Sequence, residues 1–125
     1  YGKMARDFTY IDDIVDGIDS LINHVPKNGN NLSNVIHDVS MSAPYQLFNI
    51  GFGSPVELMD FIHEIEKNLG LEAEKNMLPM QPGDVPKTWA DIQDLKEITG
   101  FNPQVSVKNG VKNFIEWYKD YYMVR

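Results

Sequence analysis

Phe8-Thr9-Tyr10-Ile11-Asp12-Asp13-Ile14-Val15-Asp16-Gly17-Ile18 begins extended and turns helical within a few residues. Phe8, Thr9 and Tyr10 are aromatic and β-branched, the composition of a short strand. From Ile11 onward the apolar residues recur at helical spacing: Ile11, Ile14, Val15, Ile18, Leu21, Ile22 and Val25. Asp12, Asp13, Asp16 and Asp19 fall on the other side, and the first of them complement the positive end of the helix. Pro26 lacks an N–H and is expected to end the helix. A strand feeding straight into an amphipathic helix places the chain in the α/β class.

The pattern continues outward from this unit. Residues 27 to 44 are polar and rich in Asn, Ser and Gly, and read as a long surface loop of the kind that often covers a site. Tyr45 to Ile50 reads as a buried strand. Ser54, Pro55 and Glu57 look like a capping box opening a second helix, whose apolar stripe is Leu58, Phe61, Ile62, Ile65 and Leu69 and whose stop is Gly70. Residues 73 to 79 form a further candidate strand. Met80 to Pro86 holds two prolines and a glycine and reads as a fixed loop. Thr88-Trp89-Ala90 is a third candidate strand. Asp91 then caps a short helix carrying Ile92, Leu95 and Ile98, ended by Gly100 with Phe101 in the contact position beyond it. Ser106 caps a last helix with Val107, Val111, Phe114, Tyr118 and Tyr121 on one face. Four helices with a few scattered strands do not make a complete sheet, so part of the fold is expected to be missing.

Bulk properties narrow the function. The 125 residues suit one domain, and 42% hydrophobic with 11% aromatic residues can build a core. Eleven Lys and Arg against 18 Asp and Glu give a net charge of -7, the wrong sign for a nucleic-acid or anionic-membrane surface. One phosphorylated small molecule is still compatible, because a single Arg can hold it. The chain has no Cys, which removes disulfides and thiolate zinc sites and fits the cytoplasm. It shows no membrane-length apolar run and no signal-peptide pattern. The abrupt start at Tyr1-Gly2-Lys3 suggests a fragment.

Most catalytic signatures are absent. His24, His37 and His63 are isolated, so no metal cluster is expected. Neither a nucleophile elbow nor a phosphate-loop Lys appears. The acidic run on the first helix resembles paired glycosidase carboxylates less than an ordinary solvated face. Gly51-Phe52-Gly53, between strand and helix, imitates a dinucleotide fingerprint. Its third glycine position is Val56, however, and Glu72 is a poor ribose acid. A tight turn before a helix is the better reading, although N–H groups there could still face an anion.

Three segments together resemble extended short-chain dehydrogenase/reductases of the nucleotide-sugar epimerase and dehydratase branch. They are Arg6-Asp-Phe-Thr-Tyr-Ile-Asp-Asp-Ile-Val15, Phe48-Asn-Ile-Gly51 with Ser54-Pro-Val-Glu-Leu58, and Leu78-Pro-Met-Gln-Pro-Gly-Asp-Val-Pro-Lys-Thr-Trp-Ala-Asp91. The aromatic end, Phe114-Ile-Glu-Trp-Tyr118, is similar too. The third segment looks most like bacterial UDP-glucuronate 4-epimerases of capsule-type pathways. Residues 1–125 would then be the C-terminal substrate-binding lobe of a Rossmann-type protein with an incomplete sheet, and the N-terminal NAD-binding domain would lie upstream.

The resemblance implies the chemistry. NAD takes a hydride from C4 of the sugar, the keto sugar rotates, and the hydride returns to the other face. The family's Tyr-x-x-x-Lys pair assists, and no Tyr here has a Lys four residues on. The lobe alone is therefore expected to be inactive. By the same resemblance Arg6 contacts the diphosphate, the alternative being a surface Arg paired with Asp7 or Asp12. Asp84 accepts from the ribose hydroxyls, or is a plain turn residue. Gln81 stands where relatives often have Arg, keeping a hydrogen bond but losing a charge. Thr88 stands where some relatives place a sugar-facing Tyr, and otherwise fills a strand. Trp89, Phe114, Trp117 and Tyr118 read as core, and Asn49 as a local backbone partner. The expected partner is a UDP-sugar, with a homodimer for the full-length protein. The unpaired Tyr45 to Ile50 edge is expected to promote self-association of the lobe.

Overall fold

The computed structural model describes residues 2–26 and 46–124. The expected loop at 27 to 44, Tyr45 and His37 lie outside them. In chain order the elements are β1 (Ala5–Arg6), α1 (Ile11–Ile22), β2 (Val56–Glu57), α2 (Leu58–Leu69), α3 (Gln93–Thr99) and α4 (Val107–Tyr122).

The strands are shorter and differently placed than the sequence suggests. β1 and β2 pair antiparallel, with Ala5 opposite Glu57 and Arg6 opposite Val56. The other edge of Ala5 is taken by the 86–88 segment: its N–H donates to Pro86 O at 2.9 Å, and its carbonyl accepts from Thr88 N at 3.2 Å. Ala5, small enough to sit between two backbones, is buried. Phe8-Thr9-Tyr10 is not a strand. Phe8 instead stacks on Phe61 of α2, ring centroids 4.0 Å apart. Residues 46–50, 73–79 and 88–90 are likewise irregular. β propensity alone does not make a strand, because a strand exists only through a partner's hydrogen bonds.

The helices follow their signals more closely. Ser106 accepts from Asn109 N at the start of α4, as its position predicts. Asp91 accepts from Gln93 N at 3.1 Å where α3 begins. Gly70 and Gly100 end α2 and α3 in the left-handed region, φ 69° and 76°, which a residue with a Cβ resists. The expected capping box of α2 does not form. Val56 and Glu57 are drawn into pairing with β1, and the helix starts at Leu58 with no side-chain cap. α1 stops at Ile22, before Pro26.

The core lies where α2 packs on α4 and α3 on α1, with Leu95, Phe101, Val111 and Ile115 buried. Gly110 lets α4 close on Tyr10: an added Cβ would lie 3.0 Å from the ring. α1 is turned opposite to expectation. It meets the body through Asp13 and Gly17, and a Cβ on Gly17 would lie 3.1 Å from Ile50 and 3.4 Å from Phe101. Its apolar stripe of Ile11, Val15, Ile18 and Ile22 is more than half exposed. The aromatic residues of the last helix are also not core: Phe114, Trp117, Tyr118, Tyr121 and Tyr122 stack on one another along an exposed face. Trp89, expected inside, is 58% exposed, with the Lys87 ammonium 5.4 Å from its ring centroid.

Candidate functional site

Two adjacent residues at the end of β1 organise the site. Successive side chains of an extended chain point to opposite faces, so Arg6 and Asp7 cannot share a partner. Arg6 reaches the 81–86 turn. Its Nη2 donates to Asp84 Oδ1 at 2.6 Å, and its Nη1 faces the carbonyls of Ala5 at 2.9 Å and Pro86 at 3.4 Å. Asp7 reaches the other way. Its Oδ1 accepts from Phe52 N at 3.1 Å, and its Oδ2 accepts from Gly53 N at 3.0 Å and Ala90 N at 2.9 Å. Arg6 is therefore paired with neither Asp7 nor Asp12, but with a residue 78 positions along the chain.

That arrangement tests the glycine turn as a cofactor cradle. The N–H groups of Phe52 and Gly53, which a pyrophosphate would need, are already held by Asp7. A Cβ on Gly51 would lie 2.5 Å from Ala90 Cβ and 2.8 Å from Asp7 Oδ2. Gly51 thus serves close packing of chain on chain, and this turn does not fit a dinucleotide. The expected tight turn is what forms, and the anion it faces is internal.

Beside the Arg6–Asp84 pair opens a cleft of about 680 Å³, lined by Met4, Leu58, Met59, Met77, Gln81 and Asp84 among others. The turn is closed by Asp84 N donating to Gln81 O at 3.1 Å, so Gln81 and Asp84 sit on one lip. Glu66 lies in the wall. Lys75 donates to its Oε1, and with the N–H of Ala73 at 2.8 Å it holds the Glu66 carboxyl below its usual range. Thr88 lies outside the cleft, its backbone joined to Ala5 and its side chain exposed. A second cleft, of about 550 Å³ between α2 and α4, is lined by Phe8, Phe61, Val111 and Phe114 and holds no charged side chain. It offers nothing to a diphosphate.

The structure therefore brings Arg6, Asp84 and Gln81 together and leaves Thr88 apart. Asp7 was not legible as a site organiser, although the alternation that turns it away from Arg6 is a signal in the sequence. Asn49 donates from Nδ2 to Asp91 O at 3.3 Å, a backbone contact as expected. His24 faces Ser20 O at 2.7 Å within one turn of chain. Among the described residues no group of His, Asp and Glu could hold a metal ion, and no helix is long and apolar enough to cross a membrane.

Among the described residues, four helices and a two-stranded ribbon, with a charged pair beside a cleft, form a lobe of the short-chain dehydrogenase/reductase class, a Rossmann-type class. Solved structures that superpose on it include the UDP-glucuronic acid 4-epimerase of Bacillus cereus in complex with UDP-glucuronic acid and NAD. The TM-score is 0.73 at 29% identity, covering 97% of this chain and 34% of that one. The UDP-glucose 4-epimerase of Thermotoga maritima with UDP-glucose superposes with a TM-score of 0.74 at 25% identity, covering 97% and 33%. Residues 1–114 match the GDP-mannose 4,6 dehydratase family, and the chain belongs to that family. In sequence it is 48% identical to a Rhizobium meliloti protein named a probable UDP-glucuronate 4-epimerase, over 97% of this chain and 36% of that protein. It is 45% identical to protein CapI of Staphylococcus aureus, over 98% and 37%. The chain thus spans little more than a third of the length of these relatives.

Proposed function

We propose that this chain is the C-terminal, substrate-binding part of a cytoplasmic NAD-dependent nucleotide-sugar epimerase that interconverts UDP-glucuronate and UDP-galacturonate for capsule-type polysaccharide. The observation that carries the reading is the ion pair joining Arg6 to Asp84, which lines the cleft beside Gln81. A guanidinium suits phosphate oxygens and an ionised carboxylate suits a vicinal diol, so the pair matches a nucleoside diphosphate. The relatives named for UDP-glucuronate epimerisation support the sugar. Neither Arg6 nor Thr88 lines the cleft itself; Arg6 is tied to it through Asp84, and Thr88 is the weakest of the four candidate contacts because its tie is only the backbone one to Ala5.

The redox group belongs to the rest of the protein in this reading, since the described residues do not cradle it. When bound there, NAD supplies the oxidising and reducing capacity for inversion at C4. This lobe supplies binding and orientation: Arg6 and Gln81 hold the diphosphate, Asp84 the ribose, and their remote contacts position the reacting carbon. The exposed stripe of α1 fits a face covered by the NAD-binding domain of the proposed full-length protein.

The test is turnover of UDP-glucuronate by the full-length protein, followed through the sugar protons by NMR. UDP-galacturonate is the expected product. Arg6→Ala is expected to lower kcat/KM by roughly tenfold to a hundredfold, the worth of a charge-assisted hydrogen bond. The 125-residue chain alone is expected to give none, and activity from it would refute the domain assignment. Interconversion of UDP-glucose instead would move the substrate and keep the class. No turnover of either would favour a decarboxylase, a dehydratase or a non-catalytic nucleotide-binding module.

Self-association of the isolated chain is expected as well, through the exposed apolar stripe of α1 rather than a 46–50 strand edge, since residues 46–50 form no strand. Sedimentation at rising concentration reads it, and a monomer at every concentration would count against it. The full-length protein is proposed to be a homodimer.

A further inference from the structure

We propose that Asp84 is a positioning residue for Arg6, so that the two side chains bind a nucleoside diphosphate as one coupled unit. The inference rests on the reading of the site given above and adds a role for the contact between them.

A free Arg side chain samples many rotamers, and ordering it costs binding energy. Here contacts within the chain do the ordering. Asp84 Oδ1 holds Nη2 at 2.6 Å, while the Ala5 and Pro86 carbonyls face Nη1. Asp84 is itself held, because Oδ1 also accepts from Val85 N at 3.0 Å. The segment carrying Asp84 and Pro86 is then tied down at Ala90 by the neighbour of Arg6, with Ala90 N on Asp7 Oδ2 at 2.9 Å. Arg6 and Asp7 thus clamp the two ends of the 84–90 segment from one strand end.

The pairing leaves both groups able to bind. Among the described residues, neither Arg6 Nε nor Asp84 Oδ2 makes a hydrogen bond. Oδ1 can hold the guanidinium while Oδ2 accepts from a ribose hydroxyl, and the unused edge of the fork can donate to a phosphate oxygen. The side chains are 26% and 37% exposed, open enough for a ligand to reach both. A carboxylate beside a cation could instead merely screen it. Screening and positioning predict opposite signs for what happens when the carboxylate is removed.

The experiment is calorimetric binding of UDP and of uridine to the full-length protein and to its Asp84→Asn, Arg6→Ala and doubly substituted variants. The preference for UDP over uridine isolates the diphosphate contacts. If Asp84 positions Arg6, Asp84→Asn weakens both ligands and also cuts the preference, by about tenfold, within the coupling range of charged groups in contact. In the Arg6→Ala background the same substitution leaves the preference unchanged. A ribose contact alone weakens UDP and uridine equally, and screening raises the preference; either result overturns the proposal. An unsubstituted protein that binds neither ligand overturns the functional reading itself, and the inference with it.

Discussion

Asp7→Ala is expected to destabilise the protein by roughly 3 kcal/mol, the combined loss of charged hydrogen bonds partly offset by water entering the site. Three backbone N–H groups, from Phe52, Gly53 and Ala90, converge on this one carboxylate. They come from two segments that no strand pairing joins. Removing the carboxylate takes away the acceptor that all three donors share, two of them part-buried, and Gly51 keeps the backbone too close to Ala90 for rearrangement to be easy. Asn is not a rescue, since its amide N–H₂ would face at least one of the three donors. Urea unfolding followed by tryptophan emission reads the effect, and Trp89 beside Ala90 reports the segment directly. A shift under about 0.5 kcal/mol, the range of an ordinary surface change, would mean that solvent replaces these contacts fully. If the proposed nucleotide site is correct, the substitution also weakens UDP binding, because it releases the far end of the segment that carries Asp84.

Asp13→Ala carries an effect of similar size, again about 3 kcal/mol. Asp13 is only 3% exposed and is the third residue of α1. Its carboxylate accepts from Gln104 N at 2.8 Å and Val105 N at 3.0 Å, immediately before the Ser106 cap of α4. One charge thus complements the N-terminal end of α1 and satisfies two N–H groups at the entry to α4. Hydrogen exchange gives a local readout: the Gln104 and Val105 amides should lose protection before the helices do. Asp12→Ala and Asp16→Ala are the controls. Both residues are exposed on the same helix, and each change should stay within about 0.5 kcal/mol. Equal effects at Asp13 and Asp16 would contradict the assignment.

These two carboxylates also mark where the sequence was hard to read. Asp12, Asp13, Asp16 and Asp19 look alike as a solvated acidic face, and three of them are exposed. What singles out Asp13 is the approach of residues 104 and 105, about ninety positions away, which no local pattern encodes. Asp7 is the same case, since its partners lie 45, 46 and 83 residues along. The Arg6–Asp84 contact was not legible in the sequence: resemblance matched each residue to a motif, but nothing in either motif said that they touch.

Local rules determined the helices, because their hydrogen bonds close within four residues and their ends are set by Ser106, Asp91, Gly70 and Gly100. The apolar periodicity of α1 was also correctly visible, as was the turn character of Gly51-Phe52-Gly53 and of the 81–84 segment. Only the tertiary structure decided where the strands lie, since a strand exists through a partner and Ala5–Arg6 found one in Val56–Glu57 at the expense of a helix cap. It alone decided which face of α1 is inward, because periodicity defines a stripe without saying what covers it. And it alone joined Arg6 to Asp84, because a charged pair across 78 residues depends on how the chain is brought back on itself.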